Sequence, residues 1–262
     1  MRNYLNILAR VAILIATLIF STHSWANSIG VDPLYVEILP GKSAAVRVTN
    51  FSDVDTPVDL YINERIVDQS GKQTRENAED EFIIFPPQAV IKANKTQVFR
   101  LQTLRKDLDE SKSYFLSVRQ LPVDLGRSDE GARLQIVFAF DAAIHLIPRG
   151  VKAKPIIENV KPTTLEIETE NETGEASKTV PAVELTLRND GNKFLYLQDQ
   201  NYIASGIDAD GSPLKDIQWS VDEILSVVKV VLVNPGTSRT FKLPLPEGLN
   251  PNELSIKVEP RK

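Results

Sequence analysis

The chain has 262 residues, 30 basic against 35 acidic side chains, a net charge of −5, one methionine and no cysteine. Without cysteine it has no disulfides, no thiolate nucleophile and no thiolate metal ligand. The acidic balance argues against nucleic acid or an anionic membrane surface as the main partner.

Residues 1–26 read as a secretion signal. Arg2 and Arg10 make a positive start, residues 11–20 (VAILIATLIF) form an apolar run with Thr17 its one hydroxyl, and Ser24-Trp25-Ala26 gives the small-x-small pattern of a cleavage site. Ten apolar residues reach roughly 15 Å as a helix, about half a bilayer core, so no membrane insertion is expected of the exported protein. Cleavage after Ala26 would remove two arginines and no acid, leaving 236 residues with 28 basic and 35 acidic side chains, a net charge of −7. That length suits two domains of about 110–120 residues.

The rest of the chain reads as strand after strand. Ala44, Val46 and Val48 alternate with Ser43, Ala45 and Arg47, and Val58, Leu60 and Ile62 alternate with Asp59, Tyr61 and Asn63. Residues 70–81 (SGKQTRENAEDE) are polar and predict a loop. FIIF at 82–85 stops at Pro86-Pro87, and strands follow at 96–103 and 114–123. The longest strand runs from Leu134 to Ile147, with Leu134, Ile136, Phe138, Phe140, Ala142, Ile144 and Leu146 on one face. Fourteen residues would reach roughly 45 Å, against about five or six residues for a usual strand. Pro148-Arg149-Gly150 ends it, and residues 151–155 form a linker. Further strands are expected at 164–168, 182–189, 194–198, 227–233, 239–245 and 253–259, with an acidic exposed loop at 169–179. Short strands separated by turn signals predict an all-β sandwich or barrel.

The long apolar strand has two readings. It is a central core strand, or part of it lies at a sheet edge where apolar side chains are open to a partner. Soluble proteins avoid long hydrophobic edges, so one that keeps such an edge uses it for strand addition.

The order of these segments resembles the periplasmic pilus chaperones of the chaperone–usher pathway. IFPPQAVIKANKTQVFRL (84–101) is similar to that family's Pro-Pro segment, YFLSVRQLP (114–122) to the strand before the donor strand, and LQIVFAFDAAIHLIPRG (134–150) to the donor strand. The resemblance implies two immunoglobulin-like β-sandwich domains in a boomerang arrangement, 27–150 and 156–262, joined by the 151–155 linker. It also implies a periplasmic protein without cofactor or metal that holds pilus subunits by donating a strand and passes them to the outer-membrane usher. The donor residues would be Leu134, Ile136, Phe138, Phe140, Ala142 and Ile144. Better-known members grip the subunit carboxylate with an Arg in the first strand and a Lys in the donor strand. Here SIGVDPLYVEIL (28–39) has no Arg and His145 stands at the Lys position. These departures suggest the divergent, archaic branch and leave Arg100, Arg119 and His145 as candidate anchors. Arg149 resembles a family position that makes an interdomain salt bridge.

Other classes fit less well. A serine triad would have to use His145, since the chain's other histidine is His23 in the signal, and no G-x-S-x-G turn, P-loop or G-x-G-x-x-G is present. Glu166 and Glu168 alternate with apolar residues as on a solvated strand face, so no enzyme is expected. The alternative is an exported surface-binding β-sandwich, such as a pilus subunit or adhesin. A subunit would carry an alternating donor segment before its first strand, where only Asn27-Ser28-Ile29-Gly30 stands.

Overall fold

The computed structural model describes residues 29–122, 137–171, 174–208 and 210–261. The first ten strands are β1 (Ile29–Asp32), β2 (Tyr35–Ile38), β3 (Ser43–Asn50), β4 (Thr56–Val67), β5 (Gln73–Asn77), β6 (Phe82–Phe85), β7 (Gln88–Ile91), β8 (Thr96–Thr103), β9 (Lys112–Gln120) and β10 (Ala139–Leu146). They form two facing sheets, ordered β1-β3-β8-β6 and β2-β10-β9-β4-β5, with β7 also on β4. Alternation decides which side chains meet between them, because successive residues point to opposite faces. Val46, Val48, Leu60, Ile62, Phe99, Leu101, Leu116, Val118 and Ile144 fill one core. Part of the expected 70–81 loop is β5, whose five residues are all exposed. Polar side chains on both faces hide a strand from a pattern search, and β5 is held by its backbone ladder to β4.

The remaining strands are β11 (Pro155–Asn171), β12 (Gly174–Asn189), β13 (Leu195–Tyr196), β14 (Gln200–Ile207), β15 (Pro213–Gln218), β16 (Leu232–Val233), β17 (Ser238–Pro244) and β18 (Leu254–Pro260). They give sheets β11-β12-β17, β15-β14-β18 and the pair β13-β16, around a second core that includes Val183, Leu185, Leu187, Leu197, Tyr202, Trp219, Phe241 and Leu243. The acidic segment expected as a loop instead continues the β11–β12 hairpin, paired out to Asn171 and Gly174. The expected strand at 227–233 shrinks to β16, its first residue Val227 being the end of α1 (Val221–Val227). Ser220 and Glu223 nucleate that helix as a capping box, each side chain bonding the other's backbone N–H. Two β-sandwiches of the immunoglobulin-like type therefore lie in series. No helix among the described residues is long and apolar enough to cross a membrane.

Candidate functional site

β10 is paired with β9 along its whole length, Ala139 to Leu146. On its other side β2 runs parallel to it only from Ala143 to Leu146. The stretch Ala139–Ala142 has no strand on that side among the described residues, so half of an apolar strand is a free edge. Phe138 and Phe140 are half-buried against the first core, with ring centroids 6.5 Å apart. They share the inward parity expected of this strand. Ala142 and Ile144 do as well, but both are fully buried in the protein's own core. Their side chains are therefore not at the surface of this chain, unlike those of Phe138 and Phe140. Leu134 and Ile136 lie outside the described residues.

The outer face of the β10-bearing sheet is polar and aromatic, and its charges are tied together. Arg75 reaches from β5 to the Asp141 carboxylate with two bonds, at 3.1 and 2.6 Å, and Ser117 donates to the same carboxylate at 2.5 Å. Burial raises the Asp141 pKa, but the bonds from Arg75 and Ser117 outweigh it and hold the carboxyl below its ordinary value. Arg119 ion-pairs with Asp59 at 3.5 Å and donates to the Tyr61 hydroxyl at 2.6 Å. It therefore sits in a local pair on the outer face, while Arg100 is exposed on β8 in the opposite sheet. The two arginines are not brought together.

Arg65 is a cation that pattern reading missed. Its guanidinium lies 4.6 Å from the Phe115 ring centroid and Arg75 lies 4.7 Å from the same centroid. Nε of Arg65 donates to Gln73 at 2.7 Å, and no carboxylate pairs with it among the described residues. Burial, and then the neighbouring Arg75 charge, push its pKa down. The alternation of Tyr61, Asn63 and Arg65 was readable and places it on the outer face. Its nearness to Phe115 and Arg75, contributed by other strands, was not.

The third candidate anchor, His145, is not a surface cation. Its ring is fully buried and stacks on Phe194 with centroids 4.0 Å apart. Nδ1 shares a hydrogen bond with Ser113 Oγ at 2.9 Å, and Nε2 shares one with the Tyr196 hydroxyl at 2.7 Å. Burial, reinforced by the charges of Arg65 and Lys193, pushes its pKa down to about 3. A neutral, enclosed imidazole cannot serve as a carboxylate anchor. It ties the first sandwich to the second through Phe194 and Tyr196.

Among the described residues the rest of that junction also has no salt bridge between the two sandwiches. Val67, Phe194 and Leu232 form a small buried cluster with Ile147, Tyr196 and Val230 against it. Ser111 N–H donates to the Asn192 carbonyl at 2.9 Å, and Ser111 Oγ accepts from Phe194 N–H at 2.7 Å. Arg149 is exposed and makes no ion pair among the described residues. The junction's cation is Arg239, 2% exposed. It donates to the Asp68 and Gln69 carbonyls at 3.4 and 2.9 Å and to the Val230 carbonyl at 2.7 Å.

Residues 38–152 match the family model described as pili and flagellar-assembly chaperone, PapD N-terminal domain. No curated protein matches the chain in sequence. Among solved structures, it is similar to the class 5 fimbriae chaperone CfaA, with a TM-score of 0.54 and 12% identity over 88% of this chain and 99% of that one. A structure described as a chaperone–tip adhesin complex of CFA/I fimbriae biogenesis gives a TM-score of 0.54 and 13% identity, over 88% of this chain and 98% of that one. A third, from the Salmonella enterica SafA pilin–SafB chaperone complex, gives 0.50 and 15%, over 83% of this chain and 85% of that one. At such identities the likeness is one of fold.

Proposed function

We propose, from the premise that residues 38–152 are the N-terminal domain of a pili and flagellar-assembly chaperone, that this protein is exported to the periplasm and holds pilus subunits by donating the free half of β10. The observation that supports this most is the edge itself. The edge of Ala139–Ala142 away from β9 carries no strand among the described residues, beside Phe138 and Phe140, and an incomplete sandwich can add that strand to its own sheet. Fully burying one such side chain stabilises by about 1.5–3 kcal/mol, so the half-covered phenylalanines have apolar surface left to contribute. Leu134 and Ile136, on the same parity, would extend the donated row. Release at the outer-membrane usher would proceed by exchange with another subunit's strand and requires no nucleotide.

Arg65 is the best-suited group for a subunit's terminal carboxylate, with Arg75 beside it. Its charge is partly desolvated, stacked in place and without a carboxylate partner among the described residues, which strengthens a charge-assisted bond. Arg119 is engaged by Asp59, and Arg100 lies on the other sheet.

The test is co-expression with candidate pilins in a periplasm, comparing wild type with Phe138→Asp. The expected result is one-to-one co-purification with wild type and its loss with a variant that keeps its circular dichroism. Equal capture by both would move the contact away from β10. Capture of no pilin, with the variant unfolded, would make 138 a core position and favour the surface-binding sandwich.

A further inference from the structure

A second interruption in strand pairing lies on the far side of the same sheet. β4 pairs with β7 through Thr56–Asp59 and with β5 through Asn63–Val67. Between them Leu60–Ile62 has no strand on that edge, because the chain leaves at Ala78 to build β6 in the opposite sheet and returns at Pro87. Leu60 N–H donates to the Pro87 carbonyl at 3.1 Å, and the Ile62 carbonyl accepts from Ala78 N–H at 3.2 Å. The Leu60 carbonyl and Ile62 N–H by strand alternation point the same way, into the gap where neither β7 nor β5 is paired with Leu60–Ile62. They border a groove of about 440 Å³ whose lining includes Phe82, Ile84, Asp59 and Glu79.

Three properties of this notch select a ligand. One free acceptor and one free donor on a strand edge match the backbone of an extended peptide. Leu60, Ile62 and Phe82 belong to the buried core, so the floor is apolar, and the volume falls in the usual range for small ligand sites of about 300–1,000 Å³. Both charged residues lining it are acids; Asp59 ion-pairs with Arg119 through Oδ2, while its Oδ1 is buried without a hydrogen-bond partner among the described residues.

We propose that this notch is a second peptide-binding site, which adds an extended segment of about three residues carrying a lysine or arginine side chain. It lies across the sheet from β10, separated from it by β9 and β4, so it is independent of strand donation and open while that edge is occupied.

The test is an amide NMR titration of the purified protein with acetyl-Val-Lys-Val-amide and acetyl-Val-Glu-Val-amide. The lysine peptide is expected to shift the Ile62, Glu79 and Gln88 amides saturably and to bind at least about tenfold more tightly than the glutamate peptide. Glu79→Lys, an exposed change whose remaining spectrum reports intact folding, should weaken it by about tenfold or more. An unshifted spectrum at millimolar lysine peptide, equal affinity for the two peptides, or shifts confined to Ala139–Ala142 would each overturn the proposal.

Discussion

Mild acid should loosen the junction through His145. The imidazole is fully buried between Ser113, Tyr196 and Phe194, and the titratable groups around it are Arg65, Lys193, Tyr35, Tyr196 and Glu37, its neighbour on β2. Its pKa is about 3 in the folded protein against 6.5 in the open chain. Opening therefore takes up a proton at any pH between those values. The stabilisation is fully present above 6.5 and is lost as pH falls toward 3, by at most about 1.4 kcal/mol per unit. At pH 5 the loss approaches about 2 kcal/mol. Urea unfolding followed by circular dichroism at pH 7.5 and 5.0, for wild type and His145→Gln, isolates it because the carboxylates cancel in the difference. The wild-type advantage over the variant should shrink by about 2 kcal/mol on acidification, and the native imidazole should stay neutral by NMR at pH 5. A flat difference, or a native imidazole titrating near 6.5, would refute the reasoning.

The other expectations concern single side chains. Arg65→Ala should weaken pilin capture by about tenfold or more in a pull-down titration, with Arg100→Ala close to wild type; the reverse ranking would reassign the anchor. Gly71→Ala should lower the melting temperature more than Gly150→Ala. Both glycines have positive φ, at 94° and 79°, but only at Gly71 would a Cβ run into the Arg239 guanidinium, while nothing stands within 4 Å of one at Gly150. Each should lose about 1 kcal/mol or more from backbone strain, and equal melting temperatures would show that the Arg239 contact yields without cost.

Alternation along the chain by itself determined the strand content and, within each strand, which side chains face inward. Val46 and Val48, Leu60 and Ile62, and Phe138 through Leu146 all keep the face that their parity assigned, because the side-chain period of a strand is a local property. The Pro-Pro boundary and the order of segments carried the likeness to pilus chaperones, for the same reason that both lie along the chain. The pattern also misled where it ran against backbone chemistry: the Ser220/Glu223 box starts a helix that takes in Val227, the first residue of an expected strand, and the acidic segment stays paired out to Asn171 and Gly174.

Which edges stay open was decided only by the tertiary structure. Parity says that Phe138 and Phe140 share a face with Ala142 and Ile144, yet β2 closes the edge at Ala143 and leaves the preceding residues free. Parity puts Arg65, Arg119 and His145 each on the face opposite the core residues of its own strand. It could not say that Phe115 and Arg75 would hold the first, that Asp59 would pair with the second, or that Phe194 and Tyr196 would enclose the third. Those partners lie roughly 50 residues or more away in sequence for most of the contacts. Long-range pairing and burial depend on how separate segments pack, which no local period encodes.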